Sequence, residues 1–218
     1  HNIQKYFGHN NFVQQKFLLY ILKNPMYDGM CQAAFCRDKS MYDNNWSVLM
    51  KRVAGYRCTI CGKEYPFGPE LMTCPSCGEK GILDIVYDYS EIKSVLSKES
   101  LKKDHDNSMW RYRALMPIKG EGLSDFLRIG WTPLYRSLRL GRQIGLDTLY
   151  IKDDGLNPTG SLKDRASGVA VAKAIELGYD TISCSSTGNA ASSCAGNAAR
   201  MGLKSVIFVP ERAPLGKV

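Results

Sequence analysis

A regular alternation of short apolar segments and helix-like segments in the last third of the chain constrains the fold most. Three segments have the length and composition of strands: 149–152, 181–185 and 205–209. Two segments of helical length lie between them, and a glycine follows each one: 161–177 and 189–201. Strands that alternate with helices of this length form βαβ units. The sequence therefore predicts an α/β fold, with a parallel sheet and flanking helices.

Eight cysteines are present, and four of them form two CxxC pairs. Cys58 and Cys61 form the first pair and Cys74 and Cys77 the second, with twelve residues between the pairs. Each pair is followed by a glycine, which can adopt the positive φ that a tight turn requires. Four thiolates at about 2.3 Å suit tetrahedral Zn²⁺, so the spacing predicts a metal site.

A site made of four cysteines is closed, so the expected role of the metal is structural. The alternative is a ribbon fold that has kept the turns but binds no metal. A nucleic-acid role would need exposed basic and aromatic residues, such as Lys63 and Tyr65. Nearby carboxylates such as Glu64 offset that charge, so nucleic-acid binding is not favoured.

The 218 residues are 44% hydrophobic and carry a formal net charge of +8. Such a charge fits either a solvated surface or attraction to anions. No apolar run approaches the length of a membrane span. Neither a signal pattern nor a disulfide-like spacing of the remaining cysteines is present, which favours free thiols in the cytoplasm.

The chain divides into three segments of different character. Residues 1–52 form an extension of unknown role, although 11–23 have apolar residues at helical spacing. We expect this extension to be a packing appendage or a non-native addition. Residues 53–88 form the cysteine module, and 89–218 form the α/β part. Within that part, 89–135 have the character of a linker with one short helix at 89–97.

A turn-rich stretch joins the first predicted strand of the α/β part to its first helix. Ser161 can cap that helix, and Asp164, three residues later, fits the acidic position of a capping box. Lys163 then lies in the first turn, where the helix dipole disfavours a cation. Two interpretations stay open. In the first, the lysine is exposed and its positive charge is partly offset by Asp164 or Asp153. In the second, its amine is kept in the uncharged form that Schiff-base chemistry needs.

A second loop, 185–189, joins the next strand and helix. Its small hydroxyls, glycine and exposed amides form an anion site at a helix start, although a plain helix cap is the alternative. Ligands of α/β proteins bind at the carboxyl ends of parallel strands. The two loops together therefore predict an amino-acid or phosphate ligand held against an amine. The GxGxxG pattern is absent, so a nicotinamide cofactor is not favoured.

These motifs resemble those of threonine synthases, which are pyridoxal phosphate (PLP) enzymes of the tryptophan-synthase-β fold type, or fold type II. The resemblance covers about residues 54–218. The matching stretches are Trp110-Arg111-Tyr112-Arg113, Thr132-Pro133-Leu134, 157–165, 186–190 and 206–210. The cysteine module resembles the zinc ribbon at the start of some archaeal-type and bacterial threonine synthases.

The resemblance implies conversion of O-phosphohomoserine and water to threonine and phosphate, with PLP as cofactor. Lys163 would be the catalytic residue and would bind PLP covalently through its amine, and Asn189 would hydrogen-bond the ring hydroxyl. The pocket for the substrate carboxylate would be formed by Ser186, Thr187, Gly188 and Ala190. A homodimer is expected for the full-length form.

The sequence departs from the family pattern at three places. Leu162 stands where phenylalanine is common, Ala166 where glycine is common, and Gly130-Trp131-Thr132 replaces a more usual Gly-Gly/Asn-Thr stretch. The family's glycine-rich phosphate loop and the hydroxyl partner of the pyridine nitrogen lie downstream of Val218. The chain is therefore expected to be an N-terminal portion that binds PLP weakly on its own.

Two other functions stay open at this point. One is another PLP lyase of fold type II, such as cysteate synthase or a threonine or serine dehydratase. A dehydratase usually lacks the ribbon, so the four cysteines argue against it. The other is a non-catalytic binding protein built on the zinc ribbon.

Overall fold

The computed structural model describes residues 51–68, 71–120 and 122–213. The helix predicted at 11–23 and the remainder of the extension up to residue 50 lie outside these ranges. Among the helices of the described ranges, none combines the length and hydropathy that crossing a membrane requires.

A small antiparallel sheet contains the first cysteine pair at one end of its central strand. Strands β1 (Val53–Cys58), β2 (Glu64–Tyr65) and β3 (Leu83–Tyr87) lie in the order β2-β1-β3. The glycines after the two cysteine pairs, Gly62 and Gly78, adopt φ angles of 71° and 61°. The predicted use of glycine in left-handed turns is therefore confirmed at both positions.

Short helices follow the sheet. They are α1 (Tyr89–Val95), α2 (Lys98–Lys103) and two 3₁₀ helices, Met109–Leu115 and Leu123–Asp125. The side chain of Asp88 accepts hydrogen bonds from two backbone N–H groups at the start of α1, which accounts for that helix's beginning. The single short helix predicted at 89–97 is confirmed, with a slightly earlier end.

The region predicted as a linker supplies much of the hydrophobic core. Trp110, Ile118 and Ile129 are buried there, and the rings of Trp110 and Phe126 pack edge to face with centroids 5.3 Å apart. The linker interpretation is therefore wrong for residues 109–129. Their apolar side chains reach the core from 3₁₀ turns and irregular chain, which produce no helical or strand period in the sequence.

Strands and helices alternate in the remainder of the described chain, as predicted from residue 149 onward. They are β4 (Leu134–Arg136), α3 (Leu138–Ile144), β5 (Tyr150–Lys152), α4 (Lys163–Glu176), β6 (Thr181–Ser185), α5 (Asn189–Arg200) and β7 (Lys204–Phe208). A third 3₁₀ turn, Asp154–Leu156, follows β5.

The parallel sheet is smaller than the sequence predicts. Strands β6 and β7 pair in parallel, with α5 between them in the chain, as expected of a βαβ unit. Strand β5 instead pairs antiparallel with β4, and within the described ranges it forms no ladder with β6. The Asp153 N–H extends that pairing by donating to the carbonyl of Pro133 at 3.0 Å. The expectation that β5 joins the parallel sheet is therefore wrong here.

Helix α4 lies close against the core at Gly168. A Cβ atom at this position would lie 2.6 Å from Cδ1 of Ile129 and 3.0 Å from Cε of Met109. Ile129 is itself fully buried, and side chains in protein interiors are closely packed. The glycine therefore sets how closely α4 can approach the buried residues that precede β4.

Replacing Gly168 by alanine should destabilise the protein, although alanine is the better helix former. Overpacking costs about 1–3 kcal/mol and the gain in helix propensity returns about 1 kcal/mol, so we expect a net loss of up to about 2 kcal/mol. Urea unfolding followed by circular dichroism measures the change. Ser192→Ala, at an exposed position of α5, is the control and should stay within about 0.5 kcal/mol of wild type. A midpoint for Gly168→Ala that is higher than that of wild type would contradict the close packing.

Candidate functional site

Lys163 is the first residue of α4. The preceding turn is closed by the Gly160 N–H, which donates to the carbonyl of Asn157 at 2.8 Å, with Gly160 at φ 78°. The backbone N–H of Lys163 donates to Oγ of Ser161 at 3.1 Å. The predicted place of Lys163 in the first helical turn is confirmed, whereas the prediction that Ser161 is the cap is wrong, because the N-cap residue is Leu162.

Asp164 does not complete a capping box with Ser161, and that prediction is wrong. Its carboxylate is fully buried and accepts hydrogen bonds from Thr159 and from Ser193 of α5. Its side chain turns inward because the donors that satisfy it lie between α4 and α5. Among the described residues no ion pair joins Lys163 to Asp164 or to Asp153, so the interpretation of a neutralised surface lysine has no support.

The loop after β6 leads directly into α5. The Ser186 N–H donates to the carbonyl of Phe208 on β7 at 3.1 Å, and the Gly188 N–H donates to Oγ of Ser186 at 3.2 Å. No side chain caps the start of α5. In this part of the described chain, the N–H groups of Asn189 and Ala190 have no protein acceptor. Unpaired amides at a helix start attract anions, so the plain-cap alternative is not what forms here.

The starts of α4 and α5 lie side by side. Oγ of Ser193, in the second turn of α5, donates to Oδ1 of Asp164, in the first turn of α4, at 2.6 Å. The structure thus brings the Lys163 turn next to the helix that begins at Asn189. All six predicted residues of the cofactor and substrate site therefore lie at two adjacent helix starts: Lys163, Ser186, Thr187, Gly188, Asn189 and Ala190.

A second network joins Arg165 of α4 to the chain after β5. The guanidinium donates to both oxygens of Asp154, at 2.8 and 2.9 Å, and the hydroxyl of Thr132 donates to the same carboxylate at 2.6 Å. Oδ1 of Asn157 accepts from the Gly130 N–H at 2.9 Å. Arg165 ends the stretch 157–165 that carries the family resemblance, but no spacing rule predicts that it pairs with Asp154.

The pKa of Asp154 is lowered to about 2, first by its hydrogen bonds to Arg165 and also by that from Thr132, against the opposing effect of burial. The pair ties the 3₁₀ turn after β5 to α4. The two side chains keep 23% and 35% of their exposure, so solvent screens part of their attraction.

The four paired cysteines converge in space. The sulfur atoms of Cys58, Cys61, Cys74 and Cys77 all lie within 4.8 Å of one another. The sulfurs of Cys61 and Cys74 are 3.6 Å apart. Tetrahedral coordination with metal–sulfur bonds of about 2.3 Å places sulfurs about 3.8 Å apart. The predicted convergence of the cysteines is confirmed, and the cluster has the size that a metal ion needs.

A tyrosine outside the CxxC pairs contacts this cluster. The hydroxyl of Tyr65 on β2 lies 3.2 Å from Sγ of Cys74. Burial opposes ionisation of Cys74, but hydrogen bonds from Tyr65 and from the backbone of Cys77 lower its pKa to about 6. A thiolate is the form that binds metal. The sequence analysis mentioned Tyr65 only as a candidate for nucleic-acid contact and missed this role.

Comparison with known proteins finds one matching family and several relatives. Residues 126–218 match the family described as pyridoxal-phosphate dependent enzyme. The threonine synthase of Methanocaldococcus jannaschii is 44% identical over 163 residues, which are 74% of this chain and 39% of that protein. The threonine synthase of Methanosarcina acetivorans is 42% identical over 163 residues, 74% of this chain and 38% of that protein.

A bacterial relative aligns over a shorter stretch. The threonine synthase of Bacillus sp. (strain ULM1) is 45% identical over 101 residues, 46% of this chain and 28% of that protein. The resemblance to threonine synthases inferred from the motifs is confirmed over these aligned residues. The chain spans about two fifths of the length of the two archaeal relatives.

The Asp154–Arg165 pair should make stability depend on pH at the acid end. Because the folded-state pKa of Asp154, about 2, lies below its ordinary value, the pair stabilises the fold above about pH 4. This contribution is lost as the pH falls through 2. We expect Asp154→Asn to lower the free energy of unfolding by about 1 kcal/mol at pH 7 and to flatten its decrease between about pH 4 and 2.

Urea unfolding at a series of pH values measures this change. Arg165→Gln removes the other partner and should flatten the same part of the curve, and the double variant should lose little more than either single one. An acid decrease in Asp154→Asn as steep as that of wild type would contradict the assignment.

Proposed function

We propose that this chain comes from a PLP-dependent threonine synthase, which converts O-phosphohomoserine and water to threonine and phosphate. The observation that supports this most is the position of Lys163 at a helix start beside the uncapped start of α5. The similarity to threonine synthases over 163 residues supports the choice of reaction.

The residues present fit PLP in the chemistry of their donors. Lys163 offers a primary amine at the rim of the site, and a Schiff base with an aldehyde needs such an amine. When bound, PLP supplies an electron sink for carbanion chemistry at the substrate. Asn189 is exposed at the first position of α5, and its side chain makes no hydrogen bond within the described chain. It is free to bind the ring hydroxyl.

The loop 186–190 would bind the substrate's carboxylate. The N–H groups of Asn189 and Ala190 are unpaired in this described part of the chain, and the hydroxyls of Ser186 and Thr187 lie in the same loop. Gly188 precedes α5 with extended backbone angles and leaves the approach to these amides open. The positive end of the α5 dipole favours an anion at this point.

Lys163 would also move protons during the reaction. Once the substrate's amine has replaced it, Nζ of Lys163 would take a proton from the substrate's α-carbon and return protons to substrate carbons. Phosphate would leave from the γ-carbon, and water would add at the β-carbon. The buried neighbours of Lys163 hold its backbone in place while the side chain moves.

We propose that the four-cysteine cluster binds Zn²⁺ and that the metal is structural. Four thiolates leave no open position for a substrate, which is typical of structural zinc sites. The sheet β2-β1-β3 is too small to be stabilised by its own core, so the metal would provide much of its folding free energy.

Other parts of the interpretation stay predictions. They are the division of the chain at residues 52 and 88, a homodimeric full-length form, the absence of nucleic-acid binding and a cytoplasmic location.

The activity is tested on protein expressed from its complete coding sequence. Phosphate release from O-phosphohomoserine should require PLP, and Lys163→Ala should reduce the rate by at least about 10³-fold, because both the cofactor linkage and the proton transfers are lost. Lys204→Ala, an exposed residue on β7, should keep the wild-type rate. Turnover of phosphoserine but not of O-phosphohomoserine would instead indicate another lyase. If the protein neither turns over a substrate nor takes up PLP, the non-catalytic binding protein would be the remaining function.

The metal is tested by elemental analysis of purified protein. Wild type should contain about one equivalent of zinc, and Cys58→Ser should lose it, because three thiolates hold the ion much less tightly. Cys184→Ser removes a thiol outside the cluster and should keep the full equivalent. Equal zinc in both variants, or none in wild type, would contradict the proposal.

A further inference from the structure

The carboxylate of Asp164 is enclosed between α4 and α5. Its side chain has no exposed surface. Oδ1 accepts hydrogen bonds from Oγ1 of Thr159 at 2.5 Å and from Oγ of Ser193 at 2.6 Å, and Oδ2 accepts from the Thr159 N–H at 2.7 Å. In the described ranges no lysine or arginine pairs with it. Burying a carboxylate away from water costs free energy unless hydrogen bonds satisfy its oxygens, so the buried side chain of Asp164 needs these contacts.

The contacts of Asp164 join two separate elements. Thr159 belongs to the turn before Lys163, whereas Ser193 and Asn197 lie one turn apart on the same face of α5, and Nδ2 of Asn197 is 3.5 Å from Oδ1. Between them, a Cβ atom at Gly196 would lie 2.8 Å from Cγ2 of Thr159. Helix α5 therefore approaches the turn as closely as a residue without a side chain allows.

The two joined elements are those that carry the two halves of the proposed site. Asp164 follows Lys163 directly in the chain, and Ser193 lies one helical turn after Asn189. A shift of Asp164 relative to α5 would change the separation between the lysine and the unpaired amides at the start of α5. A misplacement of about 1 Å in an active site can reduce a rate by about 10²-fold.

We infer that Asp164 is a positioning residue, which holds Lys163 in register with the start of α5 so that the amine and the anion-binding amides face the same ligand. The inference rests on the proposed function of Lys163 as the residue that binds PLP. Asp164 is fully buried, so it would act through the turn and through Ser193 and not by contact with a ligand.

The inference predicts a graded series of effects on the reaction of PLP with Lys163. Asparagine at position 164 keeps one acceptor for the Thr159 N–H, and the two hydroxyls can rotate to accept from its amide. Asp164→Asn should therefore slow covalent fixation of PLP several-fold, and Asp164→Ala about 10²-fold. Ser193→Ala keeps the contacts of Asp164 with Thr159 and removes the shorter of its two contacts with α5, which leaves only Asn197 at 3.5 Å. It should slow fixation about tenfold.

The rate of fixation is measured by adding PLP to protein from the complete coding sequence, quenching with borohydride at successive times and quantifying the modified Lys163 peptide by mass spectrometry. Circular dichroism and urea unfolding first establish that each variant is folded under the assay conditions. Ser192→Ala, an exposed neighbour on α5, is the matched control and should react like wild type. If Asp164→Ala does not fold, Asp164→Asn and Ser193→Ala still decide the outcome.

A folded Ser193→Ala that fixes PLP as fast as wild type would overturn the inference while leaving the proposed function intact. A wild type that fixes no PLP at Lys163 would overturn both.

A steady-state measurement separates positioning from a loss of folded protein. If Asp164 positions Lys163, Ser193→Ala should have a lower kcat for O-phosphohomoserine per folded molecule. If the variant only loses folded protein, its activity should fall in proportion to the folded fraction that the unfolding curves give. An unchanged kcat per folded molecule would again contradict the inference.

Discussion

The hydrogen bonds that Asp164 accepts from Thr159 and Ser193 fix the arrangement on which the rest of the α/β part depends. Hydrogen bonds to a buried carboxylate are strong, and each lost donor leaves an unsatisfied charge-bearing group in a dry environment. Only a narrow range of separations between α4 and α5 keeps both donors in place. The close approach at Gly196 fits the same separation, so polar and steric contacts agree.

Successive side chains at the start of α4 point to different partners. Asp164 faces α5, while Arg165 faces Asp154 and the chain after β5. Lys163, immediately before them, has a backbone held from both directions and a side chain that takes part in neither network. This division of roles among three consecutive residues gives the amine of Lys163 a rigid support, which its proposed role requires.

The sequence predicted much of this arrangement, and its errors have physical causes. The alternation of strands and helices identified α4, β6, α5 and β7, because their apolar spacing is local. It could not predict that β5 pairs with β4, since a three-residue strand carries too little pattern to select a partner. The capping-box interpretation of Asp164 was wrong because a local rule competed with donors 29 residues away on α5. The convergence of the four cysteines was predictable because a CxxC turn is itself local.

The parallel pair β6 and β7 has a consequence for how the protein emerges during synthesis. Thr181 pairs with Lys204 and Ser185 with Phe208, and only α5 lies between the two strands. Loop closure over so short a stretch costs little entropy, so this unit can assemble once residue 208 has left the ribosome. The helix α4 that precedes it is by then already available to pack on its face. The turn at Lys163 and the loop before α5 would therefore reach their mutual positions early, as products of local folding.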